Sequence, residues 1–267
     1  MSVPYDKIRL EFQAGVAIIT LNDPATLNAA GRPMVQQLRD ALHVSGLGES
    51  GARAIVITGE GRGFCSGANL QADLADDLNA GGRLDAGALV ETLYNPLVTA
   101  IRNSPIPVVT AVNGVAAGVG CSIALLGDLI VAGESAYFLQ AFRRIGLAQD
   151  GGSSYILPRL IGKARAMEMA LLGEKIPADQ ALAWGLINRC VPDAQLMSTA
   201  LGIAGELARG PASLGLIRKA IWAALDADWD GQLAHERDSQ QIASETEDFR
   251  EGVGAFLGKR TAAFRGV

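Results

Sequence analysis

Two stretches of the chain share one design: an apolar run, a glycine-bearing turn, then small residues that lead into a helical pattern. The first passes from Ile55 through Gly59 and Gly63 to Phe64-Cys65-Ser66-Gly67-Ala68-Asn69-Leu70, the second from Val108 through Asn113-Gly114 to Ala117-Gly118-Val119-Gly120-Cys121. Small residues let a ligand approach the backbone, and N–H groups left free where a helix starts can point at developing negative charge. Two such donors make an oxyanion hole, in which each is worth roughly 10²- to 10³-fold in rate when a carbonyl becomes enolate-like. Either turn alone is ordinary punctuation; the repetition is the signal. Such a site also needs a base. Asp150, ahead of Gly151-Gly152, has the chemistry of one, although on spacing it equally suits an N-cap for a helix from about Ser153.

Other chemistries fail on spacing. The chain has no GxxxxGK[ST] loop, no GxGxxG after a strand, and Ser66 does not stand in a GxSxG elbow. Its two histidines, His43 and His235, fall within helical patterns, which excludes a serine-histidine triad from the reading. Cys65, Cys121 and Cys190 show no CxxC spacing and no nearby histidine, so they read as packing residues in a reducing compartment, and no metal site is expected. A net charge of -5 without any basic run argues against nucleic acid, while leaving room for an anionic small molecule. Met1 to Leu10 lacks a secretory pattern, so a cytoplasmic location is expected. Ile106 to Gly127 is nearly free of charge, but Pro107, Asn113-Gly114, Gly118 and Gly120 divide it into strand, turn and helix start, and no membrane span is expected.

The elements that must carry these residues alternate. Val16 to Leu21 and Ala54 to Thr58 read as buried strands around a helix over Pro33 to Leu47. The rhythm returns as a helix over Val90 to Ile101, a strand over Val108 to Val112, a helix over Cys121 to Leu126 and a strand over Leu129 to Val131. From Ala178 onward only helices are expected: Ala178 to Trp184, Gln195 to Ala208, Ser213 to Leu225, and one amphipathic stretch from Gln232 through Phe256. Asn79 to Gly87 reads as an aperiodic loop, either a surface excursion or a lid. The class is therefore α/β, with a strand-containing core followed by a helical tail.

At these residues the chain resembles the crotonase, or enoyl-CoA hydratase/isomerase, superfamily. The resemblance is carried by GxGxxFxSGANL, AVNGVAAGVG, GDLIVA, IGLAQDGGSS, LPRLIGKARAMEMALLGEKIPADQALAWGLIN and EGVGAFLGKR, in that order, across essentially the whole chain. It implies a crotonase-like spiral of ββα turns over residues 1–195 and a C-terminal helical region over 196–267 that assembles a homo-trimer or hexamer. It implies an acyl-CoA thioester as ligand, with no cofactor beyond that CoA, and makes the N–H groups of Ser66 and Val119 the oxyanion donors. Backbone around Thr26, Leu27 and Ala29, and around Gly67, Ala68, Asn69, Leu70 and Gly118, would hold the substrate, joined from the tail by Phe256 and Lys259. Leu139, Phe142 and Leu147 would line the acyl pocket, with plain core packing as their other reading.

The departures from the family's pattern are informative. Where its hydratases carry two glutamates, this chain has Ser122 and Phe142, which cannot between them activate water and manage a proton. Asp150 stands where several of its isomerases carry a single acid, and the resemblance thus favours proton transfer within an enoyl-CoA. The runs NGVAAGVG, QAFRRIGLAQDGG and REGVGAFLGKR look most like the epoxyphenylacetyl-CoA isomerase branch. The alternatives are a 2-enoyl-CoA hydratase and a catalytically inactive acyl-CoA-binding homologue.

Overall fold

The computed structural model describes residues 5–47, 50–70, 78 and 81–267. Its chain begins with an antiparallel hairpin, β1 (Ile8–Gln13) and β2 (Val16–Leu21), closed by Ala14 and Gly15, both at positive φ as a two-residue hairpin turn requires. Strand β1 is absent from the sequence-based expectation, because most of its residues face water and leave no apolar run. Helix α1 (Arg32–Gly46) follows, with Pro33 in its first turn and Met34, Val35, Leu38, Ala41 and Leu42 turned inward.

Three ββα turns then succeed one another. In the first, β3 (Ala54–Gly59) leads to β4 (Gly63–Cys65); in the second, β5 (Val108–Val112) leads to β6 (Val115–Ala117) and α2 (Val119–Leu125); in the third, β7 (Leu129–Gly133) leads to β8 (Tyr137–Leu139) and α3 (Ser153–Leu172). The two strands of each turn join different sheets. One sheet has the order β1-β2-β3-β5-β7 and ends on Arg189–Val191; the other runs β4-β6-β8 and ends on Ile176–Pro177. Each turn thus adds one parallel strand to both sheets, which is the expected spiral. The corners stack closely: a side-chain carbon on Gly114 would lie 2.2 Å from the Arg62 carbonyl oxygen, and Asn113 Nδ2 donates to the Gly61 carbonyl at 2.8 Å. Asn-Gly is demanded at that corner by contact with the previous one.

Strands β3 and β5 are apolar on both faces because both faces are covered. One face packs Ile55, Ile57 and Val108 with α1, while the other packs Val56, Val109 and Val131 against Leu196, Ala200, Ala204 and Ala208. Alanine every fourth residue lets the helix Leu196–Ala208 lie close to the sheet. The segment Ile106 to Gly127 is strand, strand and helix, and no described helix is long and apolar enough to cross a membrane.

Several expectations are corrected. The helix over Val90 to Ile101 is a helical run from Ala86 to Arg102 with a π turn at Val90–Tyr94; Pro96 cannot donate backward into the ladder, and the wider turn precedes it. The region after Ala178 is not helix alone, since Arg189–Val191 pairs with β7 as the last strand; three residues, only part of them apolar, give no periodic signal. The stretch from Gln232 to Phe256 is two helices, Trp229–Ser244 and Glu247–Leu257, because Thr246 caps the second through a bond from Phe249 N. Of the loop Asn79 to Gly87, residues 79 and 80 lie outside the described residues; Leu78 bridges Leu84 and a helix starts at Ala86.

Candidate active site

Strand β4 runs into Ser66 and Gly67, and the segment 26–30 zips onto it. Ser66 N donates to the Leu27 carbonyl at 3.0 Å, Ser66 Oγ to the Thr26 carbonyl at 2.8 Å, and Ala30 N to the Gly67 carbonyl at 2.7 Å. Gly67, at φ +102°, then breaks the extended run in a conformation that side chains rarely adopt. The next amide, Ala68 N, leaves the ladder and meets no acceptor among the described residues. The second spiral turn repeats the device. Gly118, at φ +53°, donates to the Leu139 carbonyl at 2.9 Å and its own carbonyl accepts from Cys121 and Ser122, while Val119 N, at the first position of α2, is left without an acceptor among the described residues. The two turns touch: a carbon added to Gly67 would lie 2.9 Å from the Ala117 carbonyl oxygen and 3.8 Å from Gly118 Cα.

This geometry revises the donor read from the sequence. The Ser66 amide is spent on Leu27, and the free amide on that strand belongs to Ala68, two residues on. Residue types could not reveal this, because the direction of a peptide N–H is decided by Gly67's backbone angles.

Asp150 enters from the third turn. Its carbonyl accepts from Ser153 N at 3.1 Å, Ser153 Oγ at 2.9 Å and Ser122 Oγ at 3.3 Å. A carbon on Gly151, at φ +59°, would fall 2.8 Å from Ser122 Cβ and 3.3 Å from Val119 Cγ2, so the Asp150-Gly151 turn rests on the first turn of α2, beside the free Val119 amide. The carboxylate does not cap α3, whose N-cap is Gly152 without a side-chain bond. Instead Asp150 Oδ1 is buried with no hydrogen-bond partner among the described residues, and burial pushes the carboxyl up to about 6. An unpaired, desolvated carboxylate on a turn packed against a helix that begins with a free amide is an arrangement for moving protons.

Around this centre, Phe142 is buried with its ring tip 3.8 Å from where a side-chain carbon of Gly118 would be. Leu139 packs with Leu27, Val115 and Ala117, whereas Leu147 is 40% exposed, its amide bound to the Phe142 carbonyl. Leu27 and Asn28 both hold positive φ, and Asn28, fully buried, donates through Nδ2 to the carbonyls of Gly63 and Glu60. That asparagine fixes the segment carrying Thr26, Leu27 and Ala29 against β4, and no sequence signal singled it out. Ala29 N donates to Thr26 Oγ1, Ala68 is half-buried against the core, Asn69 Cβ sits 3.2 Å from the side-chain position of Gly31, and Leu70 is partly buried. Phe256 is not gathered with these residues; it lines a groove with Ile217 and Leu233, and Lys259 follows it past the helix end. Burial raises the Cys65 and Cys121 thiols to about 11 and about 12, which leaves them inert packing groups.

Comparison with known proteins places this geometry. The family model described as enoyl-CoA hydratase/isomerase matches residues 11–267. The 1,2-epoxyphenylacetyl-CoA isomerase of Escherichia coli (strain K12) is 44% identical over 95% of this chain and 96% of its own. A protein of Rhodobacter capsulatus described as a probable enoyl-CoA hydratase is 45% identical over 98% and 99%. Among solved structures, an enoyl-CoA hydratase from Polaromonas sp. JS666 superposes with a TM-score of 0.87 at 34% identity, covering 96% of this chain and 99% of that one. A spiral of ββα turns whose consecutive corners free one amide each, matched over nearly its full length by these proteins, makes this chain a crotonase-fold enzyme of the enoyl-CoA hydratase/isomerase family.

Proposed function

We propose that the enzyme is an acyl-CoA isomerase working through one carboxylate. The thioester oxygen accepts from the amides of Ala68 and Val119, which stabilise the enolate as its charge develops. Asp150, ionised, removes a proton from one carbon of the enoyl system and returns it two carbons away, so no water is consumed. The backbone of Thr26, Leu27 and Ala29 and the turn from Gly67 to Leu70 flank the CoA end, and Gly118, Phe142 and Leu147 the acyl end. A 1,3-shift in an enoyl-CoA and isomerisation of an epoxyphenylacetyl-CoA both fit this scheme. The reading calls for no cofactor besides the substrate's CoA.

The observation that carries the proposal is the buried Oδ1 of Asp150, unpartnered among the described residues, on a turn packed against the first turn of α2. Replacing Asp150→Asn should lower isomerisation of a short 3-enoyl-CoA about 10²- to 10⁴-fold and stop deuterium exchange at its α-carbon, with CoA affinity retained. Exchange at the wild-type rate in that variant would end the assignment.

One observation favours a second reading, hydration: the Rhodobacter capsulatus relative is as similar as the isomerase. Asp150 would then activate water, and rapid turnover of crotonyl-CoA by the wild type would support it. The proposal also includes self-association into a trimer or hexamer, supported by Ile217, Ile221 and Phe256, which stand 56%, 67% and 82% exposed on the C-terminal helices.

A further inference from the structure

Both halves of the proposed centre are held by two consecutive residues at the end of β8. The Leu139 carbonyl accepts from Gly118 N at 2.9 Å, which fixes the turn that frees the Val119 amide. The next residue, Gln140, is 1% exposed, and its Oε1 accepts from Gln149 Nε2 at 3.1 Å. Gln149 immediately precedes Asp150. Backbone of one residue and side chain of its neighbour thus reach the two turns that must meet at the substrate.

Gln140 is a costly choice for this place. Its Nε2 is buried with no oxygen or nitrogen acceptor among the described residues and is turned toward the Cys121 thiol, a weak acceptor, so the amide is less favourable there than a methionine of similar size. Packing alone does not account for it. What the amide adds is direction: one hydrogen bond to the segment that carries the base.

We propose that Gln140 is a positioning residue that fixes the Gln149-Asp150 turn relative to the Gly118-Val119 turn through its bond to Gln149. The inference rests on Asp150 being the base. The groups in contact with the Asp150 turn are Val119 and Ser122 from α2, Ser153 from α3, and Gln140 through Gln149; Lys163 of α3 lines one cavity with Gln149, but no charged group contributes to the shift of the Asp150 carboxyl. Burial alone lifts the carboxyl, so a turn that loosens toward water lowers it.

The test compares Gln140→Met, Gln149→Met and the double variant with wild type, using a short 3-enoyl-CoA in heavy water. Each single variant should lower kcat and α-proton exchange at least about 10-fold with KM changed less than about 3-fold, since misplacement of about 1 Å costs up to 10² in rate. The acid limb of kcat should move from about 6 toward the ordinary carboxylate range. The double variant should be no worse than the poorer single one, because both remove the same bond. Unchanged kcat and an unmoved acid limb in the single variants, or losses that multiply in the double, would overturn the inference. Gln149 is only half-buried, so Gln149→Met carries the test if Gln140→Met does not fold. Absence of exchange in the wild type would instead defeat the reading of Asp150, whereas exchange lost in Asp150→Asn but untouched in both glutamine variants would defeat this inference alone.

Discussion

Asp150 is set apart from the other buried carboxylates among the described residues by what it lacks. Asp128 accepts from Arg218, Trp222 and Val108 N, and Asp248 accepts three backbone N–H groups, but Asp150 Oδ1 has no partner and its carboxyl rises to about 6. Two consequences of opposite sign follow with pH. As a base Asp150 must be ionised, so kcat should fall about tenfold per unit below about 6, as a pH-rate profile would record. For folding, the native state prefers the protonated carboxyl; this contribution is complete below the ordinary value of 3.8 and is lost as pH rises through about 6. Thermal unfolding of wild type and Asp150→Asn should therefore show the wild type losing stability relative to the variant between about pH 4 and 6, then running parallel. The sequence displayed this residue as an acid before two glycines. It could not tell catalyst from cap, because the choice depends on where the side chain goes after the turn.

At the scale of elements, the centre depends on glycines at contacts with other elements. Gly151→Ala would place a carbon at φ +59° against Ser122 and Val119, pushing the Asp150 turn off α2. An expected kcat loss of about 10²-fold with unchanged CoA affinity would be seen in steady-state kinetics. A different fastening holds the C-terminal helix Ser213–Ala224 to the core. Arg218 is buried, pairs with Asp128 at 2.6 Å, and donates to the carbonyls of Ile101, Arg102 and Ser104, closing the end of the Asn95–Arg102 helix. Arg218→Met should cost about 3–5 kcal/mol in chemical denaturation, since it removes the countercharge of Asp128 and leaves those carbonyls without their donor. Long, two-face-apolar strands and the Ala178–Trp184 helix were legible from pattern alone, as were the glycine corners. Exposed β1, the three-residue strand Arg189–Val191 and the Arg218 fastening were not, for each exists through a distant partner and leaves no local period.

For the whole molecule, the apolar side chains left on the outer helices set the expectation. Ile217, Ile221, Leu233, Phe249, Val253 and Phe256 line a groove of about 810 Å³. Sedimentation should give a multiple of the 27.8 kDa chain, and Ile221→Asp should shift it toward the single chain without moving α-proton exchange more than a few-fold. The sheets carry a second implication. Strands of the larger one are ordered β1-β2-β3-β5-β7 and then Arg189–Val191, the order in which they are synthesised. Each strand leaving the ribosome finds its template already made, so the sheet can grow outward in one direction with few long waits. The cost falls on the last edge. From Gly133 until Arg189–Val191 is made, β7 offers unpaired backbone to any passing strand, the longest such interval in this sheet and the one in which a misplaced strand has most time to dock.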